Sequence, residues 1–155
     1  MCDDKLIDIH DEWLSVTKRK NKKPKNFKSF EKINKNTIID KSKEIFKKYM
    51  LKSVFLFGSV AKNTHTIHSD IDFLLIWNKH NKNFEEALEN IQKDLCDCFK
   101  KNVDLTSMIY VEKLGENNKK NYPIFLENVM CECDVIFGDI LDIELSRYIG
   151  KYRNY

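Results

Sequence analysis

The sequence predicts an α/β (α+β) domain, a small mixed sheet packed by helices, and three observations carry that prediction. Ser53–Phe57 and Asp70–Trp77 are short runs rich in β-branched and aromatic residues, as buried strands are. A third such run, Val103–Ile109, follows a segment in which Phe84, Ala87, Leu88, Ile91, Leu95 and Phe99 recur at helical spacing. Glu85, Glu86, Glu89, Lys93 and Asp94 fall on the opposite face of that segment, which makes it an amphipathic helix. At 155 residues the chain is one domain long, and about 68–70% of its unfolded surface can be buried, enough for a self-supporting core. Apolar residues at 42% and charged residues at 33% exclude a disordered or fibrous class.

In chain order, Leu6, Ile9, Trp13 and Val16 step by three, four and three after Asp3 and Asp4, so residues 4–17 read as a short amphipathic helix. Lys18 to Lys28 then holds seven basic residues and no acid, with Pro24 breaking regular structure. Residues 1–36 are expected to be this N-terminal helix and a lysine-rich linker, and 37–155 the domain proper. The basic run reads either as a solvated linker or as a weak nucleic-acid contact. Its single Arg19 speaks against base readout.

A second helical pattern covers Thr37–Met50, with Ile38, Ile45, Phe46 and Tyr49 apolar. The Ser53–Phe57 strand ends at Gly58-Ser59, a tight turn, and Val60–Lys62 begins a short helix. A polar loop, Asn63–Ser69, leads into Asp70–Trp77. After the third strand the pattern predicts a helix near Tyr122–Val129, a short strand at Val135–Phe137 and a terminal helix from Asp139, whose carboxylate caps it. Glu127 to Glu144 carries six acids and no Lys or Arg, the converse of the basic run.

The longest apolar runs, Val54–Phe57 and Phe73–Trp77, fall far short of the roughly 20 residues that span a bilayer. The opening Met1-Cys2-Asp3-Asp4 lacks secretory character. An intracellular, cytoplasmic protein with no membrane partner is expected. Five cysteines, at 2, 96, 98, 131 and 133, are an odd set suited to a reducing compartment. Their Cys-x-Cys spacing is tighter than the two to four intervening residues that structural zinc sites prefer.

The chemistry-bearing residues lie at strand ends. Alternation puts Asp70 and Asp72 on one side of their strand, with Cα atoms about 6.5–7 Å apart, while Ile71 and Phe73 face the core. Two carboxylates this close repel each other, and apolar surroundings raise the cost unless cations neutralise them. Asp104, between Val103 and Leu105, offers a third carboxylate on what reads as the neighbouring strand. Three acids so placed can bridge two Mg2+ ions about 3.5–4 Å apart. Gly58-Ser59 complements them: glycine lets a phosphate approach the backbone, Ser59 supplies a hydroxyl, and amides at the following helix start attract anions. Lys62 adds positive charge, and Ser69 is suited to bond its own backbone or an aspartate.

Phe57-Gly58-Ser59, ten further residues, then Asp70-Ile71-Asp72 and a later strand carrying Asp104 resemble the signature of the nucleotidyltransferase fold of the DNA polymerase beta superfamily. The likeness is greatest to its minimal nucleotidyltransferases, the MNT group, whose pattern runs G-S-x-A-[RK]-G ahead of S-D-I-D-L. Here the string is Gly58-Ser59-Val60-Ala61-Lys62-Asn63, then Ser69-Asp70-Ile71-Asp72-Phe73, and the resemblance covers about residues 45 to 137. Asn63 departs from the usual glycine, but asparagine tolerates left-handed backbone. The resemblance implies Mg2+, with Mn2+ as a substitute, held by Asp70, Asp72 and Asp104. It also implies a nucleoside triphosphate, ATP foremost, bound by Gly58 and Ser59, with Lys62 and Ser69 nearby. An acceptor oxygen attacks the α-phosphate and pyrophosphate leaves, Asp104 serving also as base toward the attacking hydroxyl.

Only 51 residues follow Asp104, too few for the primer- or tRNA-gripping domains of larger superfamily members. The acceptor is therefore expected on a separate macromolecule, a protein hydroxyl, as in pairs of MNT antitoxins with HEPN-domain toxins, where the resemblance implies AMP transfer to tyrosine. Transfer to an RNA end or a small molecule, and a non-catalytic partner-binding module retaining the fold, are the alternatives. His65 and His68 are expected to be exposed loop residues without a role. Trp13, Tyr49 and Trp77 are expected in the core, and nothing in the spacing singles out Tyr110 or Tyr122.

Overall fold

A computed structural model describes residues 32–78, 83–111 and 125–153. The expected helix over 4–17 and the run Lys18–Lys28 lie outside the described residues, as do Cys2, Trp13 and Tyr122. The described chain runs α1 (Lys35–Phe46), β1 (Leu51–Phe57), α2 (Gly58–Ala61), β2 (Ile71–Trp77), α3 (Phe84–Phe99), β3 (Val103–Tyr110), α4 (Phe125–Cys131), β4 (Asp134–Phe137), α5 (Leu141–Glu144) and β5 (Ser146–Tyr152). No helix among these residues is long and apolar enough to cross a membrane.

The strands form one five-stranded mixed sheet in the order β4-β1-β2-β3-β5. β2 and β3 are parallel, with α3 as their crossover, and the other neighbouring pairs are antiparallel. Alternation along the strands then sorts the core. Ile71, Phe73, Leu75, Val103 and Leu105 point toward α1 and α3 in the larger cluster. Phe46 meets Phe73 edge-on at 5.0 Å, and Trp77 meets Phe84 in the same way at 5.0 Å. The buried Trp77 indole donates to Ser107 Oγ at 3.2 Å, which satisfies its one polar atom. On the opposite face a smaller cluster joins Phe55, Leu74, Ile76 and Met108 to Leu126, Val129 and Ile143. Asp72 and Asp104 share this second face, at the leading ends of β2 and β3.

The expected helix Phe84–Phe99 has those bounds in the structure, ending where Lys100 turns left-handed with φ 54. α1 starts two residues before the expected Thr37, capped by Asn34, whose side chain accepts from the Asn36 amide at 2.8 Å. α1 ends at Phe46, short of the expected Met50, and two further expectations fail. His65 is buried, its Nε2 2.8 Å from the Ile33 carbonyl, because α1's leading end covers the loop. The terminal helix from Asp139 is a single turn: Asp139 Oδ1 does accept from the Leu141 amide at 2.9 Å, but the chain then becomes β5. The free edge of β3 needs backbone partners, and Tyr148, Ile149 and Tyr152 favour a strand, whereas Gly150 disfavours a helix.

Candidate active site

β2 sits between β1 and β3, and its register decides the site. Asp72 is paired with Phe57 on one side and, in parallel register, with Asp104 on the other. Both side chains therefore leave the same face of the sheet at neighbouring positions. Asp70 stands two residues before Asp72, immediately ahead of β2, and the loop leading to it is held from several directions. Lys101 Nζ, on a residue only 6% exposed, donates to the Ile67 carbonyl at 2.7 Å, and burial lowers its ammonium pKa. Lys35 Nζ donates to the Ala61 carbonyl at 3.1 Å and pairs with Asp134 at 3.0 Å. Asn63 takes φ 58, the left-handed conformation expected at that departure from glycine.

Gly58 backs the carboxylates. Its φ is +72, and a Cβ built on it would lie 2.3 Å from Asp72 Oδ2, so both backbone conformation and close approach require glycine here. Ser59 follows at the start of α2, which is only four residues long. A helix this short has little macrodipole, so the anion-attracting amides expected at this position act as a turn and not as a helix terminus.

Ser59, Ser69, Asp70, Asp72 and Asp104 line one cavity of about 500 Å³ together with Phe57, Lys151 and Arg153. Of the residues expected from the sequence, Gly58 packs behind Asp72 and Lys62 turns outward, its Nζ 3.8 Å from Glu132 Oε2 in an exposed pair. Ser69 closes its own turn: its Oγ accepts from the Thr66 amide at 2.9 Å. Lys151 and Arg153 are the residues that sequence reasoning missed. Both reach Asp104 Oδ2, Lys151 Nζ at 3.5 Å and Arg153 Nη2 at 3.1 Å. Their signal was the Tyr148, Ile149 and Tyr152 run around Gly150, which is strand-like.

The electrostatics are uneven. Burial pushes the Asp72 carboxyl up to about 7, helped by the charge of Asp104 and a hydrogen bond to it, with Lys151 working in the other direction. An oxygen-only set of three acids, one of them this reluctant to ionise alone, fits a hard divalent cation such as Mg2+. The three do not yet converge on one point: among the described residues no group of three potential ligands is drawn up around a metal position. The cations gathered on Asp104 are instead protein side chains. Of the described cysteines, Cys96 is buried, Cys98 and Cys131 are exposed and Cys133 lies between; none lines the cavity.

A stretch of 57 residues, 36% of this chain, is 44% identical to "Putative protein adenylyltransferase MJ1379" of Methanocaldococcus jannaschii, and the chain spans 57% of that relative's length. Two solved structures are similar at lower identity. One is a crystal structure of a toxin-antitoxin with AMP-PNP, at 22% identity over 73% of this chain and 80% of that one, with a TM-score of 0.49. The other is a tri-AMPylated Shewanella oneidensis HEPN toxin in complex with MNT antitoxin, at 18% identity over 72% and 78%, with a TM-score of 0.47. The model of the nucleotidyltransferase domain matches residues 35–128, a span that runs from α1 through the Gly58-Ser59 turn and all three aspartates into α4. With more than half its length inside that match, the chain belongs to the nucleotidyltransferase domain family.

Proposed function

We propose that this protein is a Mg2+-dependent nucleotidyltransferase that moves AMP from ATP to a hydroxyl of a partner protein, in the manner of an antitoxin that modifies its toxin. The observation that carries this reading is the in-register pair Asp72 and Asp104, backed by Gly58 and opening on the same cavity as Ser59 and Asp70. The name of the Methanocaldococcus jannaschii relative, a protein adenylyltransferase, supports protein as acceptor and AMP as the group moved. The signature shared with the MNT group supports a HEPN-type partner and an intracellular setting.

Asp70, Asp72 and Asp104 would hold the metal. Bound there, Mg2+ supplies charge to the α-phosphate and favours the ionised acceptor oxygen. Gly58 leaves room for phosphate beside the backbone, and the Ser59 hydroxyl donates to a phosphate oxygen. The acceptor oxygen forms a bond to the α-phosphorus. The bond from that phosphorus to the bridging oxygen breaks, and its electron pair leaves with pyrophosphate. The hydroxyl proton passes to the Asp104 carboxylate. Catalysis in this scheme is positioning plus charge neutralisation.

The test is mass spectrometry of proteins recovered with the chain after co-expression with its native partner. A nucleotide adduct on a tyrosine is the expected result. No adduct on the partner, or an adduct on RNA alone, would reject a protein acceptor.

A further inference from the structure

Lys151 and Arg153 have no place in the aspartate signature, yet β5 brings both to the cavity. β5 runs antiparallel to β3 with Lys151 opposite Thr106 and Tyr152 opposite Leu105, so the next step sets Arg153 beside Asp104. Asp104 is 3% exposed at its side chain, whereas Lys151 is 37% and Arg153 52% exposed. The carboxylate is thus buried and the cationic ends are half in the cavity. Two positive charges lean on one carboxylate oxygen, and Lys151 also acts on Asp72, so in the absence of a metal the pair balances charge in the acidic cluster.

We propose that Lys151 and Arg153 form the triphosphate-binding clamp, contacting the two phosphates that depart as pyrophosphate. This rests on the nucleotidyl-transfer reading above. Arg153 presents a planar fork suited to two phosphate oxygens, and Lys151 a compact charge beside it. A metal-loaded aspartate cluster disfavours cations at Asp104 by like-charge repulsion, and the phosphates are then the anions within reach of the same side chains. Placing them on the leaving group also puts positive charge where negative charge grows during transfer. Asp104 is released by the same exchange to act as ligand and base.

The full-length protein is titrated with ATP and with AMP in Mg2+, as wild type, Lys151→Met, Arg153→Met and Arg153→Lys. Each methionine variant is expected to bind ATP roughly tenfold to a hundredfold more weakly, with AMP binding unchanged and Arg153→Lys, which keeps the charge but not the fork, recovering only part of the loss. Removing a cation leaves Asp104 underpaired, so Lys151→Met is repeated in an Asp104→Asn background, where it still weakens ATP binding. Unaltered ATP affinity, or equal weakening of ATP and AMP, overturns the clamp and leaves the transfer reading standing. A wild-type chain that binds no ATP overturns both.

Discussion

Gly58 lies so close to Asp72 that a Cβ on residue 58 would stand 2.3 Å from the Asp72 Oδ2 atom. The glycine and the carboxylate occupy one another's only space. Gly58→Ala must therefore push Asp72 aside as well as pay for φ +72, a strain of about 1–3 kcal/mol. Transfer activity is expected to vanish while the chain remains folded with a lowered melting temperature. Normal turnover in a folded Gly58→Ala protein would show that the position of Asp72 does not matter.

Asp72→Asn separates function from stability. Above about pH 7 it removes a charge from a carboxylate that burial and Asp104 both disfavour, so at about pH 8 the metal-free variant is expected to be more stable than wild type by about 1–3 kcal/mol. Transfer is expected to be lost. Denaturant melts in EDTA, set beside labelled-nucleotide assays, check both halves, and a variant less stable than wild type contradicts the electrostatic account.

The pH dependence follows from the same group. The Asp72 carboxyl rises from 3.8 to about 7 in the folded protein, so between those values the folded chain keeps a proton that the unfolded chain has lost. Its contribution to stability is full below about pH 4 and disappears as pH rises through about 7. In EDTA, wild type should lose more stability than Asp72→Asn between about pH 5 and about pH 8, and Mg2+ should restore it at the higher pH. A wild-type-to-variant difference that does not change with pH would contradict this.

Lys101 is a support for the loop that delivers Asp70. Lys101→Met removes the 2.7 Å bond to the Ile67 carbonyl and is expected to cost about 1–3 kcal/mol while freeing residues 64–70. Hydrogen exchange should quicken in that loop, and Mg2+ affinity should fall. Unchanged exchange at those amides would place the loop's support elsewhere, for example in the bond of His65 to Ile33.

The aspartate site was legible in the sequence because its determinants are local. Phe57-Gly58-Ser59 and Asp70-Ile71-Asp72 each sit at the end of a strongly apolar strand, and strand alternation alone puts Asp70 and Asp72 on one side. α3 was legible for the same reason, its apolar stripe running unbroken from Phe84 to Phe99. What escaped was non-local. β5 exists because β3 has an edge to fill, so Lys151 and Arg153 come to the site from a segment that the Asp139 cap led one to expect as the tail of a helix, despite its strand-like Tyr148, Ile149 and Tyr152. The burial of His65 depends on Ile33, in a stretch whose approach to the loop has no sequence signature. Lys62 was placed near phosphate by its neighbours in the motif, but its long side chain turns to Glu132.

Under the proposed function, the three aspartates transfer a nucleotide to protein. This is tested most directly by incubating the chain with each α-labelled nucleoside triphosphate, Mg2+ and a native lysate, beside Asp72→Ala. Label from ATP is expected on one protein band, dependent on Mg2+ and absent with Asp72→Ala. Label on RNA, no label at all, or full labelling by the Asp72→Ala protein would contradict the proposed function.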